Sequence, residues 1–310
     1  MKASRYAFLF VVGFLFPLAA DAQVNDTYVI PAVANASGGF GTRWMTQLSI
    51  FNPQTYDLKV SLTWLPTGGG KGLEALITVP SNSVAFADNS LSEIFNVGGT
   101  GAYLVATFPE DNPGVTNDVI SRSFLVTTNT VNKLSDGGTF GQTIPGVWSG
   151  LQDYTTDGIS AISHGLRHIA RFGWRTNFGG VNLGSAPVSL RIRVYDANGQ
   201  TLVKDVAYTI PAQGHMQWSM PVEVDRGSME FFVDDSSKKA VVFAYTSTLD
   251  RFTGDPMYES PTLLATANVL FKGGTTDTTS IGKKIDISIA RAVRATAMRI
   301  GEVSLPARGE

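Results

Sequence analysis

Short runs in which apolar and polar residues alternate recur along the chain and predict β-strands. In residues 58–64 every second residue is apolar and the residues between them are polar. Because successive side chains of a strand point to opposite faces, this period of two is typical of a strand with one buried face. Apolar runs at 84–86, 102–108 and 119–126 predict further short strands, separated by turns rich in Gly, Pro and Asn.

The strand pattern occurs twice. Residues 44–64 align without gaps on residues 174–194, and the second segment alternates in the same way as the first. The identical residues are Trp44 and Trp174, Thr46 and Thr176, and Asn52 and Asn182. Such self-similarity predicts one architecture used twice. We therefore expect an all-β protein with two tandem antiparallel, immunoglobulin-like β-sandwich domains, at 26–148 and 160–262.

The last segment, 263–310, differs in kind from the two predicted domains. It has seven Lys and Arg against four Asp and Glu. Ile285, Ile287 and Ile289 alternate as in a strand, whereas residues 290–300 are rich in Ala, Arg and Met, which favours a helix. Both alternatives stay open. The tail is expected to be a final strand that completes the second domain, or a loosely ordered end.

The first residues have the pattern of a secretory signal peptide. Lys2 and Arg5 precede an apolar run at 6–18, and small residues follow up to Ala22. We predict cleavage after Ala22, which removes residues 1–22 and leaves a protein of the periplasm, cell surface or medium. The apolar run is shorter than the roughly 20 residues that a spanning helix needs, so the mature chain is not expected to span a membrane.

Composition excludes several classes of function. Charged residues make up 16% of the 310 residues and the net charge is -2, so the concentrated basic surface that nucleic-acid binding requires is not expected. The chain has no Cys, which excludes disulfides, thiolate nucleophiles, Cys-ligated zinc and iron–sulfur clusters. It also lacks a Gly-x-Ser-x-Gly nucleophile motif. We therefore expect a protein that is not an enzyme.

Several short motifs occur along both predicted domains. They are Ile30-Pro-Ala-Val33, Arg43-Trp-Met-Thr46, Phe51-Asn-Pro53, Ser121-Arg-Ser123, Gly138-Thr-Phe-Gly-Gln142, Ile144-Pro145, Trp174-Arg-Thr-Asn177, Ala244-Tyr-Thr-Ser247, Asp250 and Thr253-Gly-Asp-Pro256. Together they resemble the motifs of an uncharacterised family of secreted bacterial proteins built from tandem β-sandwich units. The resemblance covers roughly residues 26–260 and leaves the tail unexplained. It implies an extracellular or envelope-associated module, and no activity, cofactor or catalytic residue.

Metal binding has two candidate positions. Asp250 and Asp255 place carboxylates in one short loop, which is a candidate Ca²⁺ site, although their spacing is not that of a helix–loop–helix calcium site. The alternative is a turn in which the Asp side chains bond the backbone before Pro256. His164 and His168 are four residues apart, as metal ligands on a helix face would be, yet we expect them to be solvated or packed.

Two further groups of residues have features of binding sites. The Gly-rich segment 68–72 superficially resembles a phosphate loop, but no Ser or Thr follows its Lys and we expect a hairpin loop. Sugar-binding sandwiches use exposed aromatic rings on which pyranoses stack. Trp44, Trp64 and Trp174 fall at positions that predict packing in the core. The candidates for an exposed ligand-binding platform are Trp148, Trp218, Tyr154 and Tyr258.

These observations favour a secreted, non-enzymatic structural or adhesive module at or beyond the cell envelope. One alternative is a carbohydrate-binding module. Another is a subunit of an extracellular assembly, in which the tail at 263–310 pairs with an open sheet edge of a neighbour. The expected partners are a protein or glycan at the cell surface, or further copies of this chain.

Overall fold

The computed structural model describes residues 26–38, 42–133, 138–147, 149–150, 159–234, 240–265, 283–284 and 287–306. The predicted signal peptide at 1–22 lies outside these ranges. The strands are β1 (Thr27–Ser37), β2 (Arg43–Asn52), β3 (Leu58–Pro66), β4 (Leu73–Val79), β5 (Ser83–Ala87), β6 (Gly99–Ala106), β7 (Leu125–Lys133), β8 (Thr139–Pro145), β9 (Ser149–Gly150), β10 (Ile159–His168), β11 (Trp174–Asn182), β12 (Val188–Tyr195), β13 (Leu202–Ile210), β14 (Gly214–Ser219), β15 (Val224–Asp234), β16 (Val242–Asp250), β17 (Pro256–Glu259), β18 (Thr262–Ala265), β19 (Lys283–Lys284) and β20 (Met298–Val303). The α-helices are α1 (Ser90–Phe95) and α2 (Ile287–Thr296), and short 3₁₀ turns occur at Pro109–Asp111, Ile120–Arg122 and Ala170–Phe172.

The protein is all-β, as the alternating pattern predicts, and its sheets are arranged in a sandwich-like manner. In the first half, β1 pairs with β6 along most of its length and with β2 at its end. β1 therefore joins the strands of the first half and β20 into one nine-stranded sheet. Its order is β20-β4-β3-β6-β1-β2-β7-β8, and β5 pairs with β2 beside this path. The register of β1 breaks between Ile30 and Val33, where Pro31 has no N–H to donate to the ladder.

The second half repeats the strand pairings of the first. Its sheets have the orders β13-β12-β15-β10-β18 and β14-β11-β16-β17. Six antiparallel pairings of the first half are β1 with β6, β3 with β4, β3 with β6, β2 with β5, β2 with β7 and β7 with β8. Their counterparts in the second half, in the same order, are β10 with β15, β12 with β13, β12 with β15, β11 with β14, β11 with β16 and β16 with β17. The direct pairing of β1 with β2 is reduced in the second half to the single bridge Ile169 to Trp174.

Two of the three residue pairs that are identical in both halves, Asn52 with Asn182 and Thr46 with Thr176, make corresponding hydrogen bonds in each half. The buried amide of Asn52 donates to the carbonyls of Tyr56, Val79 and Pro80. Asn182 likewise donates to Ala186 and Pro211. The hydroxyls of Thr46 and Thr130 lie 2.9 Å apart, as do those of Thr176 and Thr248. These identities therefore reflect buried polar groups whose partners must be supplied within the fold.

Three apolar clusters fill the interior. The first is formed by residues of the first half, the second by residues of the two sheets of the second half, and the third joins the two halves. The third cluster combines residues of both halves with α2, and includes Leu104, Phe108, Val181, Phe243, Ala290 and Val293. Because each of these side chains is at most 3% exposed, the halves share a continuous buried contact.

The tail departs from the expectation of a strand that completes the second domain. Its alternating isoleucines do not form a strand at 287–289, where α2 begins, and the helical alternative is the one found. The final strand, β20, pairs in parallel with β4 of the first half. The physical reason is the apolar stripe of α2, because Ala290 and Val293, three residues apart, are fully buried in the third cluster.

The basic charge of the tail is matched by acidic residues of the first half. Arg294 lies 3.2 Å from Glu74 and 2.6 Å from Asp111, and Arg299 lies 3.2 Å from the same glutamate. Glu74 is almost fully buried on β4. The tail is therefore fixed by ion pairs as well as by apolar packing, within its own chain.

One predicted strand is shorter than expected. The apolar run at 119–126 contains the 3₁₀ turn Ile120–Arg122, and β7 begins only at Leu125. Val119 and Ile120 are 42% and 71% exposed, so the apolar residues at the start of the run have no buried face to hold them in a sheet. Within the described part of the chain, no helix has the length and apolarity needed to cross a membrane.

Candidate functional site

A cavity of about 290 Å³ lies where the two halves meet, and a neighbouring one of about 490 Å³ shares three of its residues. The shared residues are Trp44, Arg175 and Leu249. The first cavity receives side chains from β1, β2, β7 and β8 of the first half and from β11, β14 and β16 of the second. We call the two together the junction cavity.

One wall of the junction cavity is aromatic. The ring of Trp44 on β2 makes an edge contact with Phe140 on β8, with centroids 5.9 Å apart at 85°. Phe252 lies at the mouth and is 80% exposed. Two glycines let these rings pack closely, because a Cβ on Gly173 would come within 2.5 Å of Phe252, and one on Gly254 within 2.8 Å of Phe140. Phe252 is thereby presented to solvent, whereas Trp44 and Phe140 are half-buried in the lining.

The lining of the junction cavity also carries a guanidinium group. Arg175 on β11 is half-buried, and its Nε is buried without a hydrogen-bond partner. Burial lowers the pKa of Arg175, and the positive charge of Arg251 lowers it further. Arg251 lines the same cavity. No Asp or Glu of the described residues lines either part of it.

A chain of hydrogen bonds crosses between the halves beside the cavity. Thr100 and Thr67 lie 2.8 Å apart, and Thr67 lies 2.7 Å from Nδ1 of His215. Nε2 of His215 lies 2.9 Å from the Tyr245 hydroxyl, which donates to Gln217 at 2.9 Å. Since Tyr245 donates its proton to Gln217, it accepts from Nε2, and Nδ1 accepts from Thr67. Both nitrogens of a neutral imidazole are therefore engaged.

Trp218 and Tyr258 are not the exposed platform that the sequence predicted. Trp218 is half-buried against the second cluster, with its ring 4.7 Å from that of Tyr208. Tyr258 stacks on Tyr245 at 6.0 Å and packs against the first cluster, so it belongs to the contact between the halves. Both rings are therefore half-buried rather than exposed. The other two candidates, Trp148 and Tyr154, lie outside the described residues.

Asp250 and Asp255 lie in a tight turn between β16 and β17. Asp250 accepts a hydrogen bond from the N–H of Phe252 at 2.9 Å, and its own N–H donates to the carbonyl of Asp255 at 3.1 Å. The Asp250 side chain thus bonds the backbone of a turn, as the alternative to Ca²⁺ binding predicts. In the described ranges, no three His, Asp or Glu residues are grouped closely enough to hold a metal ion.

The histidine pair and the Gly-rich segment have local structural roles. His164 and His168 lie on β10 rather than on a helix, where the first is paired with Glu259 at 3.4 Å and the second accepts from the N–H of Thr176. Burial lowers the pKa of His168. Residues 68–72 form the hairpin loop between β3 and β4, as expected, and Gly68 donates to the carbonyl of His215.

Sequence reasoning missed the residues that surround the junction cavity. Trp44 and Trp174 were both expected in the core, but both are half-buried, and the guanidinium of Arg167 covers Trp174 at 4.8 Å. Arg175 was not singled out. The aligned repeat holds one signal for it, because the position that is Met45 in the first copy is an arginine in the second.

Comparisons with known proteins identify no family. No protein-family pattern matches the chain, and neither does any curated protein. One solved structure with some similarity is the crystal structure of a lectin from Pleurotus ostreatus in complex with GalNAc. It is 11% identical, with 85% of this chain and 94% of the lectin chain covered, and a TM-score of 0.16. A likeness at that level carries no argument about fold or ligand.

Proposed function

We propose that the protein is a secreted, non-enzymatic adhesive module at or beyond the cell envelope, and that it binds a glycan in the junction cavity. The single observation that carries the proposal is the aromatic wall formed by Trp44, Phe140 and Phe252. Pyranose rings stack on such faces, and small-ligand sites are concave and mostly apolar with a few polar groups. This favours the carbohydrate-binding alternative over a purely structural role.

The proposed architecture is a pair of tandem immunoglobulin-like β-sandwich units, in keeping with the resemblance to secreted tandem-sandwich proteins. The six shared strand pairings and the matched hydrogen bonds of Asn52 and Asn182 support it. In this arrangement both units supply residues to the lining of the cavity. The ligand site therefore depends on both units and on the buried contact that holds them together.

The polar groups beside the cavity support binding rather than catalysis. His215 has both ring nitrogens engaged by Thr67 and Tyr245, and burial lowers its pKa to about 3. A general base needs an accessible lone pair and a pKa near the working pH. His215 offers neither, so its role in the proposal is to hold the two halves in register.

The assembly alternative is less well supported. The tail that was expected to pair with a neighbouring molecule is instead paired within its own chain, through β20 and the contacts of Arg294. We therefore place ligand binding, rather than strand exchange, at the centre of the proposed function.

A glycan microarray tests the proposal. The purified protein is expected to bind a subset of the glycans, and Trp44→Ala to weaken that binding at least tenfold, because the stacking face is removed. Trp218→Ala is the matched control, since that ring packs on the second cluster away from the cavity. The proposal is wrong if no glycan binds, or if the two variants weaken binding equally.

A further inference from the structure

We propose that the glycan bound in the junction cavity carries a negative charge, as a carboxylate or sulfate group, and that Arg175 binds that group. The inference rests on the proposed function, because it assigns a ligand class to the same cavity. It goes beyond that function in requiring an anion, which an aromatic wall alone does not.

Arg175 is placed as a ligand-binding arginine rather than a structural one. It lies on β11 opposite Leu249 of β16, and both residues line both parts of the cavity. Among the described residues no carboxylate forms an ion pair with it, and its Nε is buried without a partner. Elsewhere in the chain Arg122 pairs with Asp26, and Arg294 pairs with Asp111.

A guanidinium without a partner is unfavourable in a partly buried site. Burial removes part of its hydration, and each N–H that loses water needs an acceptor to replace it. An anionic ligand supplies those acceptors. The guanidinium presents its donors as a planar fork, which matches the two oxygens of a carboxylate or the oxygens of a sulfate.

The charge around the cavity also favours an anion. Arg251 adds a second positive charge to the lining, while no acidic residue of the described chain lines it. The effect of Arg251 on Arg175 is repulsive, since it lowers the pKa of that group. A negative ligand group relieves this repulsion, whereas a cationic ligand would add to it.

Aromatic rings and guanidinium together define the two ends of the ligand. The sugar ring is expected to stack on the wall of Trp44 and Phe140, and its charged substituent to reach Arg175, which shares the lining with Trp44. A neutral sugar in the same place offers only uncharged oxygens, which accept weaker hydrogen bonds from the guanidinium than an anionic group does and leave its positive charge unpaired. Discrimination against neutral sugars therefore follows from the site itself.

The test uses four probes on the purified protein: a galacturonate tetrasaccharide, its fully methyl-esterified form, a sulfated galactan tetrasaccharide and the unsulfated galactan. Affinities are measured by titration calorimetry at 150 mM and 500 mM salt. We expect the acidic form of at least one pair to bind tenfold or more tightly than its neutral partner, and less tightly at high salt. Which pair shows the difference identifies carboxylate or sulfate as the recognised group.

Variants separate the inference from the proposed function. Arg175→Gln is expected to lose the preference for the acidic probe, whereas Arg226→Gln, which removes an exposed arginine elsewhere, is expected to keep it. Because the acid and ester are compared on the unmodified protein, the test stands even if Arg175→Gln does not fold. Equal binding of acidic and neutral probes, weakened by Trp44→Ala, overturns the anion inference and leaves glycan binding intact. Binding to none of the probes or array glycans overturns both.

Discussion

Replacing Arg294 with Met is expected to destabilise the protein strongly, because it removes the central cation of the buried ion-pair group that fixes the tail. Arg294 is 14% exposed, Glu74 2% and Asp111 10%. Although burial lowers the pKa of Arg294, its hydrogen bond to Asp111 and the charge of Glu74 outweigh that effect and raise the pKa. The fold therefore stabilises the charged form.

The expected loss follows from what remains after the substitution. Removing one partner of a buried ion pair costs about 3–5 kcal/mol, since the other charge stays buried without compensation. Arg299 still lies 3.2 Å from Glu74, which places the expected loss near the lower end of that range, at about 3 kcal/mol. The Arg294 guanidinium also lies over the Phe108 ring, 4.4 Å from its centroid, and Met removes this contact but has a helix propensity close to that of Arg.

Arg291→Met on the same helix is the matched control. Arg291 pairs with Glu110 at 2.9 Å, but the two side chains are 49% and 50% exposed. An exposed pair contributes about 1 kcal/mol at most. Thermal and urea unfolding of both variants measure the difference, and a loss of about 3 kcal/mol lowers the melting temperature by roughly 6–10 °C. Equal losses in the two variants would refute the assignment of the tail's stability to the buried group.

A double variant measures the energetic coupling between Arg294 and Glu74. Adding Glu74→Gln to Arg294→Met removes the buried negative charge that the single variant leaves behind. The double variant is therefore expected to be more stable than the sum of the two single effects predicts. Strict additivity would show that the two side chains are not coupled.

Two further predictions concern His215 and Trp218. The pKa of His215 is about 3 in the fold and near 6.5 when unfolded, so the unfolded chain binds the proton first and stability falls as pH drops from about 6.5 towards 3. In urea unfolding, His215→Gln should flatten the dependence between pH 6.5 and 5, and an unchanged slope would contradict this assignment. Trp218→Ala is expected to lower stability by about 2 kcal/mol, as a partly buried aromatic ring is removed. If calorimetry instead shows lost glycan binding at unchanged stability, Trp218 is a ligand contact.

The strands could be predicted because their signal is local. The alternation at 58–64 and 188–194 corresponds to β3 and β12, and the identical Asn52 and Asn182 hold equivalent turns. A strand with one buried face needs apolar side chains at every second position, whichever sheet it joins. The prediction of a strand at 119–126 was wrong for the first part of this run. Apolar residues alone do not show whether a buried face exists, and Ile120 is exposed.

The candidate site could not be predicted, because its residues are far apart in sequence. The role of each residue depends on the side chains that the fold places beside it. Trp44, Phe140, Arg175 and Phe252 come from different strands and turns of the two halves. Whether an aromatic residue packs in a core or faces a cavity is decided by the neighbours that the fold supplies. Trp44 lines the cavity although it is expected in the core, and Trp218 packs against the second cluster although it is expected to be exposed.

The sequence by itself determined the all-β class, the repeated pattern of strands and the absence of cysteine chemistry, because periodicity, duplication and composition are properties of the chain. The tertiary structure alone decided where the tail lies and which side chains line the junction cavity. Docking of α2 and β20 on the first half needs the acidic Glu74 and Asp111, more than 180 residues earlier, to be brought beside Arg294. The lone guanidinium of Arg175 likewise depends on which carboxylates the fold keeps away from it, and such a condition is set by three-dimensional packing.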